Sequence, residues 1–233
     1  SVPAVQVARC AAVAAPDFSI ELAAHVLGQR TIELSDPWAE LEADCKIAAA
    51  NSMSCYAGQF NQYEGLTVNV AEAINSAGGT FLSDDGKKVT VDSPEARAGL
   101  QHLVDMFKNG DIDPAGITYQ EQESANAFLD GKALFLRNWP YVYSAASADD
   151  SQIKGKFGMA LLPGEKGTGV SSLGGINLGV SAFSKHKKTA AAWVEWMQSP
   201  EAQKVLVSVM NQASVLKDLY TDPELVKVSP YLP

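Results

Sequence analysis

The sequence predicts an α/β protein, and three observations carry that reading. Short apolar runs of strand length alternate with longer stretches of helical periodicity. Several of those stretches open on Asp-Pro or Ser-Pro pairs, where the first residue can cap the helix and proline fits its first position. Glycine, alone or after asparagine, closes them. At 233 residues the chain can bury a sizeable core, in one large domain or two small ones. Hydrophobic residues make up 46% and charged residues 19%, a globular rather than disordered composition. The net charge of −9 comes from scattered acids, which disfavours contact with nucleic acid or anionic lipid.

The first expected helix starts at Asp36-Pro37 and turns Trp38, Leu41, Cys45 and Ala48 to one face. The polar stretch Gln59 to Glu64 leads into a second helix from about Thr67, ended by Gly78-Gly79. Asp85-Gly86 between two short apolar stretches predicts a hairpin turn. Ser93-Pro94-Glu95 opens a helix through Leu100, Leu103 and Phe107, closed by Asn109-Gly110. A further helix is expected near Glu123 to Asp130, with Gly131 as its stop. Three strands are expected, at Ala133 to Leu136, Phe157 to Leu162 and Ile176 to Ser181. Arg137-Asn138-Trp139-Pro140 breaks the first of them and opens another helix, and Pro163 to Gly169 is a glycine-rich connection. Two helices close the pattern, Lys187 to Gln198 and one from Pro200 capped by Ser199.

Three cysteines, Cys10, Cys45 and Cys55, are too few for a disulfide framework, although a Cys45–Cys55 bridge is compatible with an oxidising compartment. No CxxC pair or histidine pair suggests a metal, so no metal or cofactor is expected. No run of about 18 apolar residues predicts a membrane span. Cys10, in Val7-Ala8-Arg9-Cys10, reads as a buried cysteine rather than a lipid-attachment site, because Arg9 stands where a small residue belongs.

Five segments, in order, resemble the extracellular solute-binding proteins of sugar ABC transporters, similar to the trehalose- and maltose-binding proteins. They are Gln62-Tyr63-Glu64-Gly65-Leu66-Thr67-Val68-Asn69, the stretch from Gly131-Lys132-Ala133 to Trp139-Pro140, and Leu173-Gly174-Gly175-Ile176-Asn177-Leu178-Gly179-Val180-Ser181. Ser199-Pro200-Glu201-Ala202-Gln203 and Leu219-Tyr220-Thr221-Asp222-Pro223-Glu224 complete the set. The resemblance implies a periplasmic-binding-protein type II fold, two α/β lobes that close over ligand about a hinge. It implies a receptor that delivers a disaccharide or oligosaccharide to an ABC importer without catalysis. It further implies a sugar ligand, permease subunits as partners, a monomer and an extracytoplasmic location, with membrane contact only through the transporter or a lipid anchor. Members carry a longer first-lobe segment than the 36 residues that precede Pro37 here, so the first lobe is expected to be incomplete. On that reading residues 37–170 form the second lobe, 171–212 the returning strand and helices of the first, and 213–233 a return towards the second. Residues 1–36 remain unassigned.

A sugar offers paired hydroxyls around a ring with an apolar face, so its site needs a flat aromatic and planar polar groups. Two constellations supply them. Gln59, Asn61, Gln62, Tyr63 and Glu64 stand at a helix entrance, where amides also fill loops and an acid also favours the helix N-terminus. By the resemblance, Gln62, Tyr63 and Glu64 line the cleft. The second constellation is Arg137-Asn138-Trp139-Pro140-Tyr141, directly after an apolar strand, where ligands of α/β proteins gather. Here Trp139 is the expected stacking residue, with Asn138 and Tyr141 beside it. Gly174 and Gly175 would let backbone approach a ligand, or would form a bulge or hinge crossing.

Rival readings are weaker on the residues. His25, His102 and His186 stand apart, and no G-x-S-x-G occurs. Gly164 to Gly169 lacks the phosphate-loop spacing, and the acids Glu121 and Glu123 specify no glycosidase without a known separation. A same-fold receptor for another solute and a lobe that binds nothing by itself remain the alternatives.

Overall fold

The computed structural model describes residues 37–229. The Cys10 and Asp36 expectations therefore lie outside the described residues. The chain divides into two compact units, the first comprising described residues 37–139 and 146–172, the second 140–145 and 173–229.

Unit 1 is built around a two-stranded parallel sheet. Helix α1, Pro37–Ala50, buries Leu41, Cys45 and Ala48 at helical spacing, as the sequence predicts. Strand β1, Ser54–Ala57, alternates half-buried and buried positions and pairs in parallel with β2, Ala133–Leu136, through Ser54↔Ala133, Tyr56↔Phe135 and Ala57↔Leu136. A parallel pair requires a long crossover, and helices fill it. They are α2, Glu64–Ser76; α3, Pro94–Asn109; a 3₁₀ turn, Pro114–Thr118; and α4, Glu121–Leu129. Helix α2 starts three residues before the expected Thr67, with Glu64 in its positively polarised first turn. For α3 the expected ends are both present: the Ser93 hydroxyl accepts from the Ala96 amide at 3.1 Å, and Gly110 takes the left-handed conformation at φ 80°. The Asp85-Gly86 turn is flanked by an antiparallel bridge between Leu82 and Val89.

The core gathers Leu41, Cys45, Ala48, Cys55, Phe60, Met106 and Ile112, with the Phe60 and Phe107 rings edge to face at 5.0 Å. Cys45 and Cys55 form a disulfide inside this cluster. Trp38 stacks on His102 with ring centroids 4.0 Å apart and donates its indole N–H to the Pro163 carbonyl at 3.1 Å. Burial lowers the His102 pKa, which keeps the stacked imidazole neutral.

Helices α2 and α3 touch through Gly99, where a Cβ would stand 2.4 Å from the Ala73 carbonyl oxygen. The obstacle is backbone, so a methyl group there forces the helices apart. Gly99→Ala is expected to lose about 1–3 kcal/mol of stability in urea unfolding. Equal midpoints for both proteins would show that the helix pair yields without loss.

After β2 come α5, Tyr141–Ser147, and a two-residue hairpin, β3 Pro163–Gly164 with β4 Gly167–Thr168, in the expected glycine-rich connection. The strand expected over Phe157 to Leu162 is absent, and so is the strand expected over Ile176 to Ser181. An apolar run becomes a strand only beside a ladder partner, and none of the described residues supplies one to either segment. Leu161, Ile176, Leu178 and Val180 are accordingly exposed.

Unit 2 contains α6, Lys187–Met197, α7, Pro200–Met210, a 3₁₀ turn, Lys217–Thr221, and α8, Pro223–Val228. Ser199 caps α7, accepting from the Ala202 amide at 3.2 Å, and Asn211 ends it at φ 50°. Val207, Leu219 and Leu225 form a small core beside buried Gln203. That amide donates to the Met197 carbonyl at 2.9 Å and accepts from the Ser214 hydroxyl and the Val215 amide. Trp193 and Trp196 are both about half exposed. Helix α6 buries none of its side chains among the described residues.

Candidate functional site

The end of β2 carries a cluster of buried polar residues, Gln59, Asn69, Glu72, Ser124 and Arg137. Arg137 follows the strand directly, and its side chain is 5% exposed. It donates from Nε and Nη2 to the two carboxylate oxygens of Glu72 on α2, both at 2.7 Å. A third bond runs from Nη1 to the Gln59 side-chain oxygen at 3.1 Å. Burying a guanidinium is tolerable only with such complete pairing.

Gln59 is fully buried and ties the cluster together. Its amide nitrogen donates to the Ser124 hydroxyl at 2.8 Å and to the Arg137 carbonyl at 3.0 Å. Asn69 donates to the Gln59 and Gly65 carbonyls at 3.2 and 2.9 Å. The network thus binds the β1 exit, α2, α4 and the β2 exit into one support.

Asn138 and Trp139 stand on that support. The Asn138 amide donates to the Glu121 carbonyl at 2.9 Å and to the Ser124 hydroxyl at 3.1 Å, while its oxygen accepts from the Trp139 backbone amide at 2.7 Å. The Arg137 guanidinium carbon lies 4.2 Å from the centroid of the half-buried Trp139 ring, a cation–π contact. One indole face is therefore held by a cation that is itself locked to Glu72.

At the entrance of α2, Gln62 and Glu64 are exposed and Tyr63 is half-buried. The Tyr63 side chain folds back over Gly65, where a Cβ would stand 2.3 Å from its hydroxyl oxygen. That hydroxyl is shielded from solvent and makes no hydrogen bond of ordinary geometry. Burial raises its pKa, and the Glu121 carboxylate adds to the rise, so the phenol stays protonated and can donate.

Tyr141 is half-buried within unit 2, and Gly174 and Gly175 are exposed there. Space is open where a Gly175 Cβ would stand. The structure thus gathers Tyr63, Asn138 and Trp139 around one supported cluster, with Gln62 and Glu64 exposed beside Tyr63. Sequence reasoning missed Glu72, Asn69 and Ser124. A signal for two of them existed: Asn69 and Glu72 fall on the stripe of α2 that also buries Gly65 and Val68. Polar residues on a core-facing stripe mark an internal network. Among the described residues no cluster of His, Cys, Asp and Glu is arranged to hold a metal, and no helix is long and apolar enough to cross a membrane.

The family model described as bacterial extracellular solute-binding protein matches residues 36–204. A probable ABC transporter-binding protein of Deinococcus radiodurans is 37% identical over 178 residues, which is 76% of this chain and 42% of that protein. A probable amino-acid ABC transporter periplasmic-binding protein of Sinorhizobium fredii is 26% identical over 72% of this chain and 37% of that protein. Among solved structures, maltose-bound MalE3 of T. maritima superposes with a TM-score of 0.73 at 32% identity, covering 90% of this chain and 54% of that one. The chain spans about half the length, or less, of these relatives. Its fold is the periplasmic-binding-protein type II fold of these neighbours.

Proposed function

The chain belongs to the bacterial extracellular solute-binding protein family, and we propose that it takes part in an extracytoplasmic receptor that delivers a disaccharide or oligosaccharide to an ABC importer. The observation that carries the sugar reading is the Trp139 ring. One of its faces rests against a guanidinium, and the ring stands at the end of a strand beside Asn138. A sugar stacks on the other face, with Gln62, Tyr63, Glu64 and Asn138 as hydroxyl partners; Tyr141, Gly174 and Gly175 are further proposed ligand contacts. A maltose- or trehalose-like ligand fits this polar and aromatic set, and the maltose-bound relative supports that choice. The receptor acts as a monomer, meets permease subunits of the importer and performs no chemistry on the sugar. Attachment to the membrane, where present, is through a lipid anchor.

An amino-acid ligand is the second reading, favoured by the name of the S. fredii relative. An α-carboxylate needs a cation free to pair with it. Arg137, the cation of this cluster, is already committed to both oxygens of Glu72, which favours a neutral ligand.

Calorimetric titration of the chain with maltose, trehalose and a panel of L-amino acids separates the two. Saturable binding of a disaccharide is expected; binding confined to an amino acid would overturn the sugar reading. Trp139→Ala is expected to weaken disaccharide binding by about 1–3 kcal/mol, the scale of a large apolar contact. A variant that keeps both wild-type affinity and wild-type melting removes Trp139 from the site.

A further inference from the structure

The chain leaves unit 1 twice, after Trp139 and after Ser172. Both exits are fastened to one carboxylate. Glu72 holds Arg137, two residues before the first exit, and its Oε1 also accepts from the Ser172 backbone amide at 2.8 Å, at the second exit. Glu72 is 5% exposed.

The residues before Ser172 lie along the same helix. One turn beyond Glu72, the Ser76 carbonyl accepts from the Glu165 amide at 3.1 Å, and the Ser76 hydroxyl accepts from the Val170 amide at 2.9 Å. Gly169 passes so close that a Cβ would stand 2.6 Å from the Pro163 carbonyl oxygen and 2.7 Å from the Ser76 hydroxyl. The 163–172 segment is therefore seated on the C-terminal half of α2, and its last residue reaches the carboxylate that grips Arg137.

We propose that Glu72 is a positioning residue for the ligand site, a buried clasp that sets where both connecting segments begin. The candidate ligand residues lie immediately beyond it in sequence: Asn138 and Trp139 follow Arg137, and Gly174 and Gly175 follow Ser172. One carboxylate thus fixes the starting geometry of two groups of candidate contacts far apart in the chain. A carboxylate suits this task because it accepts several charge-assisted bonds at once, and an amide oxygen accepts fewer and weaker ones. The ligand part of this inference rests on the sugar-receptor reading; the clasp itself does not.

The test has a ligand-free and a ligand-bound measurement. In the wild-type chain without ligand, amide hydrogen exchange at Ser172 is expected to be slowed to the level of α2 amides. Exchange as fast as that of exposed Leu173 would overturn the clasp, and this needs no variant. In Glu72→Gln the Ser172 amide is expected to exchange about tenfold faster or more, and the near-UV dichroism assigned through Trp139→Phe to change. A folded Glu72→Gln protein with both signals unchanged would also overturn it. Ser172→Pro removes the one donor while leaving the Glu72–Arg137 pair in place. With maltose, it is expected to weaken affinity about tenfold or more while Arg137 stays paired. If wild-type protein binds no sugar but Ser172 is protected, the receptor reading fails and the clasp stands. If wild-type protein binds maltose and Ser172→Pro binds it equally, the positioning role fails and the receptor reading stands.

Discussion

Replacing Arg137 with methionine is expected to destabilise unit 1 by about 3–5 kcal/mol, the scale of breaking a buried ion pair. The arginine itself is not the source of most of that loss. Its removal leaves the Glu72 carboxylate, 5% exposed, without the two short bonds that hold its charge. It also leaves the Gln59 oxygen without its cationic donor and the Trp139 ring without the charge against its face. The converse follows from the same physics. A double variant, Arg137→Met with Glu72→Leu, is expected to recover much of the stability, because both desolvated charges are gone. Recovery is incomplete, since the Ser172 amide then lacks its acceptor. Urea unfolding of the two singles and the double, followed by circular dichroism, reads the coupling directly. Purely additive losses would mean that the pair contributes little beyond its packing.

Removing the Cys45–Cys55 disulfide is expected to lower stability by about 3 kcal/mol, the loop-closure contribution for residues 10 apart in sequence. The bridge joins the last turns of α1 to β1, and both cysteines lie in the core, at 3% and 1% exposure. Cys45→Ala with Cys55→Ala leaves small cavities as well, which adds to the loss. Thermal melts of oxidised and reduced wild-type protein, beside the double variant, separate these contributions. A reduced protein that melts with the oxidised one would show that the core alone holds α1 on β1. A disulfide also fits an oxidising compartment outside the cytoplasm, where the family is named as extracellular.

Helices were easier to read from the sequence than strands, and the reasons are local. The caps at Ser93 and Ser199, the stop at Gly110 and the apolar face of α1 are each written within one or two turns of chain. Strand β2 was legible because four apolar residues run between Lys132 and Arg137. The runs at 157–162 and 176–181 look equally strand-like, but their state depends on a ladder partner that no local pattern reveals. The candidate site divides the same way. Trp139 and Asn138 could be picked out by type and by their place after a strand, whereas the support beneath them spans more than 60 residues of chain between Glu72 and Arg137. Only the three-dimensional pairing identifies Glu72 as the residue that commits Arg137 through both of its carboxylate oxygens.

The parallel pairing of β1 with β2 also sets a clock. Ser54 meets Ala133 only after about 80 further residues have been synthesised, which takes about 4–16 s at ordinary elongation rates. During that interval the ladder cannot exist, although the short Cys45–Cys55 loop can already close wherever an oxidant is present. Long-range parallel pairing is also intrinsically slow to form. A nascent chain of this design stays without this sheet for seconds, held in the meantime by its helices and its short disulfide loop alone.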